Sequence, residues 1–210
     1  PLLSTRTDLI AATLNFHGVW RDLDNIVLPT RGQSYALQSG VGRVNSIDAS
    51  GATGQRSGAF SRALLRGQWW LPLGERWTVQ ARLEAGQIFG SRDVDVPETQ
   101  RFRAGGDESV RGYAWRSLTP QVAGVDVGGR VLATASLEVA RPVSDELPSV
   151  WWAAFVDAGR AAERWSGFRP AVGAGLGLRW RSPVGPLRAD IAYGEEAKSW
   201  RLHLSVGIAY

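Results

Sequence analysis

The chain has no cysteine among its 210 residues, which excludes a disulfide framework and any zinc site built on thiolates. It also lacks an uninterrupted apolar stretch of the roughly 20 residues that a membrane-spanning helix needs. No segment repeats apolar residues at helical spacing, so helices are not expected to shape the fold. The positive excess is small, +4, and the arginines are scattered instead of gathered in a run, which argues against nucleic acid as a partner. Enzyme motifs are missing too: there is no His-Glu-x-x-His, no Gly-x-Ser-x-Gly and no Gly-x-x-x-x-Gly-Lys. Gly173-Ala-Gly175-Leu-Gly177 looks only superficially like a nucleotide-binding run, because it alternates as a strand and no helix follows. His17 and His203 lack the spacing of a metal pair. No catalytic residue, metal or cofactor is therefore expected. The opening Pro1-Leu2-Leu3-Ser4-Thr5-Arg6 has no charged start, apolar core and cleavage site, which leaves a cytosolic protein or one whose front end lies upstream.

What the sequence does contain is alternation with a period of two. Val131, Ala133, Ala135, Leu137 and Val139 share one face of a strand, and Thr134, Ser136 and Glu138 share the other. Val172, Ala174, Leu176, Leu178 and Trp180 alternate in the same way against Gly173, Gly175, Gly177, Arg179 and Arg181. The dyad recurs in Leu187/Ala189/Ile191/Tyr193, in Leu202/Leu204/Val206/Ile208/Tyr210, in Ala63/Leu65/Trp69 and in Val79/Ala81/Leu83. About nine such strands of about ten residues each are expected, an all-β chain with turns at Pro72-Leu73-Gly74, Pro142 to Pro148 and Ser182 to Pro186.

A soluble sandwich alternates as well, but two features favour a transmembrane antiparallel β-barrel with a polar lumen: strand length, and polar faces carrying arginine with acids. Trp20, Trp69, Trp70, Trp77, Trp151, Trp152, Trp180 and Trp200 fall towards strand ends, where amphipathic rings suit the membrane interface. Between Phe89 and Gly129 no useful length alternates, so residues 91–128 form a long loop. Loops of that length are usually functional. Within it lies Gly105-Gly106-Asp107-Glu108-Ser109-Val110-Arg111-Gly112-Tyr113.

That stretch, with Ser117-Leu118-Thr119-Pro120 after it, resembles the Val-Arg-Gly-Tyr/Phe loop of the outer-membrane protein assembly and two-partner-secretion translocator superfamily. Within it the chain is most similar to the TamA-like branch, the barrel subunit of the translocation and assembly module. Pro29-Thr30-Arg31-Gly32, Ala135-Ser136-Leu137-Glu138 and Phe155-Val156-Asp157-Ala158-Gly159 agree in order and spacing. The resemblance implies that residues 1–210 are the C-terminal part, about nine strands, of a sixteen-stranded barrel integral to the bacterial outer membrane. The remaining strands and the periplasmic domains would precede Pro1, since an open sheet leaves backbone groups unpaired in lipid.

The resemblance further implies that the loop folds into the lumen and that Arg111 meets inward-facing acids. Alternation independently puts Glu138 and Asp157 on inward faces, and one guanidinium can bond to two carboxylates. Gly105, Gly106 and Gly112 permit tight backbone around Asp107, Val110, Arg111 and Tyr113. The last strand, with His203, Ser205, Ile208 and Tyr210, is similar to the C-terminal targeting signal of outer-membrane barrels, Ser205 standing where glycine is usual. In the family its edge takes part in a lateral gate. The function implied is assembly or translocation of outer-membrane clients, autotransporters among them, by strand exchange at that gate. Its partners would be the lipid bilayer, unfolded client proteins and a periplasm-spanning inner-membrane protein. The alternative is a secretion channel or porin-like pore, to which Arg66, Arg82, Arg179, Arg181 and Arg188 would lend anion preference. The same arginines could instead bind the loop.

Overall fold

The computed structural model describes residues 8–47, 57–182 and 185–207. Its strands are β1 (Asp8–Leu23), β2 (Gly32–Ile47), β3 (Gly58–Leu73), β4 (Trp77–Gly90), β5 (Gln121–Val122), β6 (Val125–Asp126), β7 (Val131–Pro142), β8 (Val150–Ala162), β9 (Ala171–Ser182), β10 (Gly185–Gly194) and β11 (Ser199–Val206). Nine of them form one antiparallel sheet in the order β1-β2-β3-β4-β7-β8-β9-β10-β11, and β5 and β6 form a two-stranded hairpin within the long loop. Among the described residues there is no α-helix, only a 3-10 turn at Glu98–Gln100. The sheet is a partial barrel.

The register explains the alternation. Leu37 pairs with Leu65, Leu65 with Ala85, Leu83 with Ala135, Leu137 with Val156, Leu178 with Ala189 and Ile191 with Leu202. Pairing carries one face across the sheet, so the outward positions of neighbouring strands form one continuous apolar surface. Leu14, Leu65, Leu83, Leu176, Leu202 and Leu204 are all more than half exposed there, a surface too greasy for water and suited to acyl chains. From Trp77 to Gln87 this face of β4 covers about 33 Å of strand, or about 25 Å of height at a tilt of ~40°.

Of the tryptophans singled out from sequence, seven sit near the end carrying the turns at 24–31, 74–76 and 143–149, while Trp200 lies at the loop end. Trp77 and Trp152 meet edge to face at 5.1 Å, and Trp20 and Trp69 flank Tyr35. Trp70, however, is buried, because even-numbered residues of β3 face inward.

Two expectations need correction. β1 to β4 run 14 to 16 residues instead of about ten. The extra length projects Val44, Phe60 and Ile88 against the long loop, whose Val94, Val96, Phe102, Val110 and Leu118 join them in one apolar core. The inward face is therefore apolar towards the loop end, not polar throughout, because the loop lays a second layer on it and supplies apolar partners. The excursion itself runs from Ser91 to Arg130 and is tied by Phe102 bridging Gly129.

Candidate functional site

Backbone geometry aims the loop before any side chain acts. Gly105 and Gly106 both have φ of 107°, a conformation that residues with a Cβ rarely hold. The amide of Gly105 donates to Ser109 Oγ at 2.7 Å, and that of Gly106 to the Val110 carbonyl at 3.2 Å. The Ala104 amide donates to Thr119 Oγ1 at 3.1 Å, and the Ala161 amide of β8 accepts the chain back by donating to the Leu118 carbonyl at 3.0 Å. Arg82 of β4 donates from Nη2 to the Ser109 carbonyl at 3.1 Å. This closed turn presents Arg111 to the barrel wall.

Every donor group of the Arg111 guanidinium is engaged. Nε and Nη2 form a fork on Asp157 of β8, at 2.7 Å to Oδ2 and 2.9 Å to Oδ1. Nη1 reaches Glu138 Oε2 of β7 at 2.9 Å and Asp190 Oδ2 of β10 at 3.0 Å, and Nη2 adds Ser136 Oγ at 3.3 Å. The Arg111 amide also donates to Asp157 Oδ2, at 3.0 Å. The guanidinium carbon lies 3.3 Å from the centroid of the Phe155 ring, a cation–π contact strengthened by exclusion of water. Arg179 of β9 completes the cluster: it forks on Glu138 at 2.9 and 2.7 Å and reaches Asp190 Oδ1 at 2.5 Å. All five charged residues are buried, Asp157 completely. Three carboxylates thus face two guanidiniums, and the excess negative charge is met by the fields of Arg82 and Arg188 nearby.

Small residues make the approach possible. Gly112 (φ 91°) lies against the backbone of Tyr193 and Gly194, and a Cβ on Gly173 would stand 1.9 Å from the Arg111 carbonyl oxygen. Tyr113 donates from Oη to the Val172 carbonyl at 2.9 Å and accepts from the Glu196 amide at 3.0 Å, clasping the β10–β11 turn.

The structure thus brings Arg111, Glu138 and Asp157 together, and Val110 is buried in the neighbouring apolar core. Asp107 stays outside the cluster, lining a cavity of about 290 Å³ with Glu108, Arg188 and His203. His203 accepts a hydrogen bond at Nε2 from the Gly112 amide at 3.0 Å. Ser205 faces inward beside it, and Ile208 and Tyr210 lie outside the described residues. Sequence reasoning missed Asp190, Ser136 and Phe155 as partners of Arg111. Alternation puts all three on inward faces, which makes them candidates but does not pair them with Arg111. Of the arginines considered for ion passage, Arg66 pairs with Glu84 at 2.7 Å and Arg181 stacks on Trp151 at 3.8 Å. With Arg21 and Arg188 they line a cavity of about 720 Å³ at the short-turn end.

Comparison with known proteins gives one consistent answer. The model of the Omp85 superfamily domain matches residues 3–210. The outer membrane protein assembly factor BamA of Nitratidesulfovibrio vulgaris strain Hildenborough is 31% identical over 143 residues, 64% of this chain and 17% of that protein. The crystal structure of BamA from Haemophilus ducreyi lacking POTRA domains 1–3 superposes with a TM-score of 0.69 at 21% identity, covering 92% of this chain and 40% of that one. At that identity the likeness is one of fold. The chain spans well under two thirds of the length of either relative.

Proposed function

The chain belongs to the Omp85 superfamily of integral outer-membrane β-barrel proteins, and on that premise we propose that it is the C-terminal portion of a sixteen-stranded barrel whose work is assembling other outer-membrane proteins. The observation that carries the reading is the Arg111 loop, held against β7, β8 and β10 by buried charge-assisted bonds. Such a loop occupies the lumen and stiffens the strands beside the β11 edge, so that the edge offers unpaired backbone groups in a defined geometry. An incoming client strand pairs there non-covalently, as an added strand. Its partners are the bilayer and unfolded β-barrel clients, and no bond-making chemistry is required. Autotransporter clients and a TamA-like link to an inner-membrane protein are finer versions of the same role.

Reconstitution tests this. Vesicles carrying the full-length protein should accelerate insertion of a urea-unfolded outer-membrane barrel. Arg111→Ala should lose most of that acceleration, since breaking one side of a buried pair costs about 3–5 kcal/mol. Steady large conductance with no acceleration would replace the proposal with a pore.

A further inference from the structure

β11 has one hydrogen-bonded neighbour among the described strands, β10. Its inward side chains are Ser199, Arg201, His203 and Ser205. Ser199, Arg201 and Ser205 make no side-chain hydrogen bond among the described residues, so the bond from the Gly112 amide to His203 Nε2, 3.0 Å long, is the polar side-chain link between the long loop and this edge strand. It joins the residue next to Arg111 to the strand directly opposite Asp190, since His203 and Asp190 are register partners. We propose that His203 is a positioning residue that latches the Arg111 loop to β11, and that the latch holds only while the imidazole is neutral. The inference rests on the assembly reading for its purpose, but its geometry stands apart from it.

The chemistry follows from which atom accepts. With Nε2 taking the Gly112 proton, the ring's own proton is on Nδ1. An imidazolium has two donors and no acceptor, so protonation sets a donor against the Gly112 N–H and leaves that buried amide unpaired. The amide cannot turn elsewhere, because Gly112 is pressed to the backbone of Tyr193 and Gly194. The charges facing the ring are Asp107 and Arg111 from the loop, Asp190 from β10 and Arg201 from β11. Glu108 of the loop, Arg82 of β4, Glu138 of β7 and Arg188 of β10 line the same space. Asp107 and Asp190 can hold a protonated ring in place, but neither restores the acceptor for Gly112. Acidification therefore releases the edge strand from the loop while leaving the Arg111 cluster intact.

The test uses full-length protein in lipid nanodiscs and hydrogen exchange of peptides covering 105–113 and 199–206, corrected for intrinsic rates. Between about pH 7.5 and about pH 4.5 the wild type should exchange about five-fold faster in both peptides, the equivalent of one ordinary hydrogen bond. His203→Gln, whose Oε1 can accept, should stay protected at both values. His203→Leu should be fast at both. Wild-type protection that does not change with pH, or a Gln variant that loses protection as the wild type does, would overturn the latch. Should the Leu variant fail to assemble, the wild type and Gln variant decide alone. Client insertion measured on the same samples is a separate readout: a wild type that inserts nothing would sink the assembly reading and leave the exchange result standing.

Discussion

Arg111 shows why a particular side chain is needed. A lysine ammonium has three donors on a single atom, but only a planar fork bonds Asp157 through two nitrogens while a third nitrogen bridges Glu138 and Asp190. The flat guanidinium also lies on the Phe155 ring, which an ammonium covers poorly. Gly173 is the complementary feature, an absence of side chain where the Arg111 carbonyl comes up against the lumen wall. Gly173→Ala should push the loop off β9 and lower the thermal midpoint by several degrees, comparable to overpacking at about 1–3 kcal/mol. An unchanged midpoint would mean that the loop is not seated there. Glu138 and Asp157 were legible as partners because each is a lone acid on an inward face. Asp190 alternates inward as well, but its role depends on how far β10 is staggered against β7, and no local pattern records that.

Among the elements, the strands repeat one rule and the turns differ. The β1–β2 turn is organised by Asp24, whose carboxylate accepts from the amides of Asn25, Thr30 and Arg31 and from Thr30 Oγ1. Slight desolvation of this exposed side chain works to raise its pKa, but these hydrogen bonds outweigh it and hold the carboxyl at about 2. Because the folded value lies below the ordinary 3.8, the turn's extra stability is complete above that value and is lost as pH falls towards about 2. An NMR titration of the Asp24 carboxyl carbon should show that low midpoint, and a midpoint near 3.8 would refute the turn geometry. Pro29-Thr30-Arg31-Gly32 was visible in the sequence as a motif. Its physical cause, a carboxylate six residues from Thr30, was not, because such turns have no periodicity to betray their contacts.

For the whole molecule the decisive surface is the outward one. A charge at Leu137, on the lipid face of β7, should be as unfavourable as charges generally are in mid-bilayer. Leu137→Arg should therefore cost about 2–4 kcal/mol in urea titrations of the barrel in vesicles. A neutral result would argue that this face is not lipid-bound. The nine-stranded β architecture, its outward apolar face and the gathering of tryptophans towards strand ends follow from the sequence by itself, because strand side chains alternate with a period of two that can be counted along the chain. The second apolar layer over β2 to β4 and the joining of Asp190 and Arg179 to the Arg111 cluster were decided by tertiary structure alone. So was the placing of His203 Nε2 on the Gly112 amide. These join residues up to 91 positions apart, and their meeting depends on strand stagger and on the path of the loop, which are properties of the assembled sheet and not of any local stretch of chain.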